Sequence, residues 1–255
     1  MVVMLVVLFL IGIGIYSYRK SISDNKTIVP RNLHVLLLSN VLFYEKLKEE
    51  DRQEFRNKIE LFLKAVNVES VGFRLEDIDV VLVAASAVIP VFYFENWQYS
   101  NLSTVILYPD YFNKDLSFTE GDVDRNIGGL VGTGRFRHQM ILSRKALHYG
   151  FNNKTDKSNT GIHEFVHLID MLDGDVDGVP NRLLSNAYVI PWLDLIHKEM
   201  EAINNDESDI RAYGGTKQEE FFAVASEYFF ERPDLLKRKH PELFKMMELC
   251  FCSKR

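Results

Sequence analysis

The chain has 255 residues, 47% hydrophobic and 26% charged, an ordinary globular balance with a length that suits one large domain or two small ones. A net charge of −6 lacks the basic footprint of a nucleic-acid binder and argues against that role. The two cysteines, Cys250 and Cys252, are too few for a disulfide framework; their C-x-C spacing allows a metal or redox role, but the favoured reading is two free thiols in a reducing compartment.

Met1 to Ile15 carry no charged or strongly polar side chain; Tyr16, Ser17 and Tyr18 follow, then Arg19 and Lys20. Eighteen residues of helix rise about 27 Å, just short of a hydrocarbon core of about 30 Å. Three readings compete: a retained membrane anchor, a cleaved signal peptide and a buried core helix. No basic residue precedes the span and no A-x-A-like cleavage site follows it, which favours the anchor. The basic residues Arg19, Lys20, Lys26 and Arg31 all come after the span, and the positive-inside rule then puts the rest of the chain in the cytoplasm. The expected layout is a transmembrane anchor over residues 1–20, a polar linker over 21–35 punctuated by Pro30, and a folded domain over 36–255.

From Leu33 to about Val66 the pattern is helical, with Phe55, Ile59, Phe62, Leu63 and Val66 on one face. Asp77 to Phe94 is a long apolar stretch, interrupted at Pro90, that fits a buried helix or a strand. Ser103 to Leu107 reads as a strand ending at Pro109. Phe112 to Gly134 is loop-like, with Gly121, Gly128, Gly129, Gly132 and Gly134. A phosphate-binding loop fails there, because no G-K-[ST] follows. Phe136 to Ser143 reads as a strand that, from its position before the next helix, could pair with a substrate backbone by edge addition.

The chemistry starts in Gly161-Ile-His-Glu-Phe-Val-His-Leu-Ile-Asp-Met-Leu, which contains H-E-x-x-H. A helix puts His163 and His167 on one face, where two imidazoles can close on one zinc ion at Zn–N distances of about 2.0–2.1 Å. Glu164, turned by one residue, sits beside the metal and can take a proton from a zinc-bound water. The surrounding side chains are apolar on nearly every face, so the helix is buried and its His and Glu residues need partners. A peptidase zinc has a third protein ligand and an open position. Asp173 is one candidate, at the spacing of the elongated H-E-x-x-H-x-x-G-x-x-H motif. That motif turns the chain at a glycine, whereas this sequence has Asp170 there. The favoured candidate is Glu220, on a second apolar segment from Phe221 to Phe230 that should end before Arg232-Pro233. Glu227 shares its face and would support the site from behind. Asp170 shares the face of His163 and His167; it either accepts the far N–H of a ligand imidazole or is merely a polar residue near a helix end. The Asp-rich turn from Asp173 to Gly178 is no calcium loop, since Leu184 stands where an EF-hand needs glutamate.

Several segments resemble the Mlc titration factor A family of bacterial zinc peptidases: Leu61-Phe-Leu, Val105-Ile-Leu-Tyr-Pro-Asp-Tyr-Phe, His163-Glu-Phe-Val-His-Leu-Ile-Asp-Met-Leu-Asp-Gly and Glu220-Phe-Phe-Ala-Val-Ala-Ser-Glu-Tyr-Phe-Phe. The segment Ala212-Tyr-Gly-Gly-Thr-Lys-Gln-Glu-Glu-Phe-Phe-Ala is similar to the catalytic domain of anthrax lethal factor. The resemblance implies an α+β, zincin-like domain with a mostly helical core and a small sheet, here preceded by the transmembrane helix. It implies one zinc per chain on His163, His167 and Glu220, with Glu164 as base and Tyr213 stabilising the oxyanion. The implied partners are a peptide or protein substrate and, through the family, a glucose-responsive transcriptional repressor. A rival reading follows: a protein that sequesters the regulator, with catalysis incidental.

Overall fold

The computed structural model describes residues 27–119, 122–132, 137–153 and 155–252. The apolar span and the anchor expected there lie outside these residues, as do Gly121, Gly134 and Phe136. Among the described residues no helix is long and apolar enough to cross a membrane. The described chain packs on the domain from its start: Thr27 Oγ1 accepts the Val68 N–H at 2.7 Å and Pro30 is buried. Helix α1 (Leu33–Asn40) therefore begins inside the stretch read as a linker.

The helical pattern up to Val66 is cut into three pieces, α1, α2 (Leu42–Lys46) and α3 (Glu49–Ala65). The cuts fall at Val41 and between Leu47 and Lys48, all three in extended backbone. Helix α3 buries Phe55, Ile59, Phe62 and Leu63, and its Glu49, Glu50 and Asp51 face the positive end of the helix dipole. The apolar run after it resolves as helix α4 (Asp77–Val88), started by a capping box between Glu76 and Asp79. Pro90 lies in the 3-10 turn that follows, Ile89–Val91. Asp79 is fully buried. Burial would raise its pKa, but hydrogen bonds from His148 and Arg144 outweigh that and hold it down.

Four strands form one sheet: β1 (Asn67–Ser70), β2 (Thr104–Tyr108), β3 (Gly129–Val131) and β4 (Gln139–Ser143), in the order β1-β2-β4-β3. The first three neighbours run parallel and β3 is antiparallel to β4. This corrects one expectation. Strand β4 is hydrogen-bonded on both sides and has no edge to offer a substrate. The edge strands are β1 and β3, and β3 lies inside the stretch read as loop.

The remaining helices are α5 (Arg144–Asn152), α6 (Thr160–Asp170), α7 (Val189–Asn204), α8 (Gln218–Glu231), α9 (Pro233–Lys239) and α10 (Pro241–Phe251). Helix α8 ends before Pro233, which cannot continue its hydrogen-bond ladder. Helices α6 and α8 pack together at the centre. Ile162, Phe165, Val166 and Ile169 from one, and Phe221, Phe222 and Ala225 from the other, are fully buried. Each such large side chain stabilises the fold by about 1.5–3 kcal/mol, which offsets the cost of seating His163, Glu164 and Glu227 beside them. The whole is a mixed α+β fold, mostly helical with a small sheet.

Candidate metal centre

Helix α6 is capped by Asn159, whose Oδ1 accepts the Ile162 N–H. One turn on, His163 and His167 stand four residues apart with ring centroids separated by 4.7 Å. Their Nε2 atoms are 3.1 Å apart. Glu220, in the first turn of α8, brings Oε2 to 3.1 Å from His163 Nε2 and 3.4 Å from His167 Nε2. Among the described residues these three form the one group whose ligand atoms converge as a metal ion requires.

Asp173 is not part of that group. Helix α6 does end at Asp170, without the glycine, and passes through a 3-10 turn, Met171–Asp173. Asp173 is exposed there and accepts a hydrogen bond from Asn181 Nδ2 at 2.8 Å. The chain turns because Asp170 points inward and accepts the Gly178 N–H at 2.9 Å, closing the loop behind it.

The donor set fits a metal. His163 Nδ1 lies 2.7 Å from Glu227 Oε1. A carboxylate accepts only, so Nδ1 carries the proton and Nε2 offers a lone pair. That lone pair, the His167 nitrogen and a carboxylate oxygen then face one another, an arrangement that favours a cation among them. A tetrahedral centre with Zn–N of about 2.0–2.1 Å sets its ligand atoms roughly 3.3–3.4 Å apart, close to the separations seen. Until a cation binds, a proton on Nε2 fills that role, and binding would release it. Burial alone would lower the pKa of His163, yet Glu227 and Glu220 raise it to about 10. Burial would raise Glu220, yet hydrogen bonds with His163 and His167 hold it well below the usual carboxylate range.

Glu227 supports His163 from behind and is fully buried. Its Oε2 accepts the Asn159 N–H at 2.5 Å and its Oε1 also meets the Arg211 guanidinium. Burial pushes its pKa up, but His163, Arg211 and Asn159 together push it down further. Among the described residues Asp170 has no such contact with an imidazole. Its Oδ1 lacks a partner among the described residues, and burial pushes its pKa up to about 7. Sequence reasoning missed Arg211, whose only signal is its place two residues ahead of Tyr213. Asn159 carried a signal that was available, since asparagine is a preferred helix N-cap.

Glu164 is 7% exposed, and burial raises its pKa above the ordinary value. Tyr213 lies in a 3-10 turn, Ala212–Gly215, at the rim, with its ring centroid 6.0 Å from that of His163. Burial, and then the charge of Glu220, push its phenol pKa up, so it stays an O–H donor.

Comparison with known proteins points the same way. An uncharacterized protein of Synechocystis sp. is 29% identical over 233 residues, covering 88% of this chain and 84% of its own. Mlc titration factor A of Cronobacter sakazakii is 28% identical over 210 residues, 78% of each chain. Its counterpart in Escherichia coli strain 55989 is 26% identical over 208 residues, again 78% of each. The sequence profile of one metallopeptidase family runs over residues 16–252 and takes in every residue of the site. The chain belongs to the glucose-regulated metallo-peptidase M90 family.

Proposed function

We propose that the chain is a zinc-dependent peptidase. The observation that carries this reading is the meeting of His163 Nε2, His167 Nε2 and Glu220 Oε2 within 3.4 Å of one another, beside the buried Glu164. In this reading His163, His167 and Glu220 hold the metal. When bound, the ion supplies Lewis acidity, which polarises a peptide carbonyl and acidifies a water. Glu164 accepts the proton of that water and passes it to the leaving amine. Burial raises its pKa above the ordinary value, which makes it a stronger base for the first step. Glu227 and Arg211 hold His163 in the tautomer that leaves Nε2 free to ligate. Tyr213 donates its O–H to the oxygen that gains charge in the transition state.

The edge of β3 supports an extended polypeptide as substrate. Gly128 C=O and Gly132 N–H bond to Ser143 and Gln139 of β4. Backbone groups alternate along a strand, so those of Gly129 and Val131 face the open side and can pair with a peptide.

The test is direct. Purified protein should carry one zinc per chain, and Glu164→Gln should keep the zinc and lose cleavage of a mixed peptide library. Cleavage by that variant at the wild-type rate would end the proposal. A second reading rests on the name Mlc titration factor A borne by relatives: the chain binds a transcriptional regulator and catalysis is incidental. Regulator binding undiminished in Glu164→Gln, with no peptide cleaved by wild type, is the outcome that reading requires. We also propose that residues 1–20 anchor the chain with its site in the cytoplasm, motivated by their apolar sequence and the basic residues after them. Recovery of the full chain in the soluble fraction would exclude the anchor.

A further inference from the structure

Strand β3 and helix α6 touch at Gly129, and the approach leaves no room for a side chain. A Cβ on Gly129 would lie 2.4 Å from Glu164 Cγ, 2.7 Å from its Cδ and 2.6 Å from its Oε1. Gly129 is not among the residues with positive φ. What demands glycine is therefore space, not backbone freedom. Neither backbone yields easily. The strand is pinned on both sides of Gly129 by the bonds of Gly128 and Gly132 to β4, and Val131 packs on the core. Helix α6 is buried along almost its whole length.

We infer that Gly129 is a positioning residue, whose bare Cα forms the wall that seats the Glu164 carboxylate under the open edge of β3. This rests on the reading of Glu164 as the base. The same residue presents its backbone to the open edge and its bare face to the base. Gly129 thus fixes the distance between the proton acceptor and any peptide paired on that edge. An added methyl must displace something. Turning the Glu164 side chain costs less than breaking the β3–β4 ladder, so the carboxylate is what moves.

The inference is tested with Gly129→Ala in the zinc-loaded full chain. A misplacement near 1 Å costs on the order of 100-fold, so kcat should fall about 10- to 100-fold, with KM within about threefold and zinc still one per chain. A rise in KM with kcat retained would mean that the strand moves instead, and would overturn the inference. So would full activity. A second measurement covers poor folding. Gly129→Ala should lower the unfolding temperature in the wild-type background and leave it unchanged in a Glu164→Ala background, where the obstructing atoms are gone. Equal loss in both backgrounds would overturn the steric coupling. The two readings fail separately: an active Glu164→Gln sinks the base, while an inactive Glu164→Gln beside a fully active Gly129→Ala sinks only the role of Gly129.

Discussion

The Glu227 carboxylate accepts the Nδ1 proton of His163 at 2.7 Å through one oxygen and the Asn159 N–H at 2.5 Å through the other. One side chain of α8 thereby fixes both the N-cap of α6 and the imidazole one turn later. An imidazole so held loses little freedom on ligation and is more basic at Nε2. Glu227→Gln keeps the shape and removes the charge. It should weaken zinc binding by about 10- to 100-fold, read by competition with a chromogenic chelator. Wild-type affinity in that variant would show that Glu227 serves the fold alone.

Glu220 and Asp173 were rivals for the third ligand, and metal analysis separates them. Glu220 faces both histidines at 3.1 and 3.4 Å, while Asp173 is exposed and bonded to Asn181. Glu220→Ala should lose most zinc affinity and all cleavage. Asp173→Ala should keep both, with a stability change under about 0.5 kcal/mol. The reverse pattern would move the site onto the loop after α6.

In the proposed reading Asp170 bears on the site only through Gly178, whose N–H it accepts at 2.9 Å. That glycine has φ +74°, and a Cβ there would lie 2.4 Å from the Gln218 carbonyl oxygen and 2.9 Å from the Glu219 nitrogen. Its neighbours are therefore the backbone just ahead of Glu220. Gly178→Ala should cost about 1–3 kcal/mol in strain and, by shifting the start of α8, weaken zinc binding. Calorimetry and zinc titration on the same sample check this. A lower unfolding temperature with unchanged zinc affinity would disconnect the loop from the ligand.

What the sequence disclosed and what it concealed follow the range of the forces involved. His163 and His167 were legible because helical periodicity alone puts them on one face. Glu220 and Glu227 were legible because carboxylates in an apolar helix demand partners. The end of α6 at Asp170 was not legible, since it depends on a hydrogen bond to Gly178 eight residues later. Strand β3 was hidden as well. Its three residues are too few to alternate visibly, and its Gly129 is set by an atom of Glu164 on another element. Arg211 was missed because its contact with Glu227 exists only once the 3-10 turn packs on α8.

The last prediction concerns stability far from the metal. His240 lies between α9 and α10 with Nδ1 2.9 Å from Glu199 Oε2 and Nε2 2.8 Å from Asp209 Oδ1. Both ring nitrogens face carboxylates, so the imidazolium is the form that satisfies them. The Glu199 hydrogen bond, against an opposing effect of burial and with help from Asp209, raises the pKa of His240. Asp209 also accepts from Lys157, Lys239 and Tyr228. Burial would raise its pKa, but these bonds hold it far below the usual carboxylate range. The signs follow by linkage. The His240 contribution is complete below the unfolded histidine pKa of about 6.5 and fades as pH rises toward the raised folded value. The Asp209 contribution is complete above about pH 3.9 and fades as pH falls toward the depressed folded value. Both are full between roughly pH 4 and 6.5. At pH 6, His240→Ala should lose about 1.5–3 kcal/mol, the range for hydrogen bonds to charged groups. The gap to wild type in urea midpoint, taken at saturating zinc so that metal linkage cancels, should narrow steadily as pH is raised above 6.5. A gap that stays constant across that range would mean that His240 is neutral in the folded protein, and that its two carboxylate neighbours are kept close by something other than its charge.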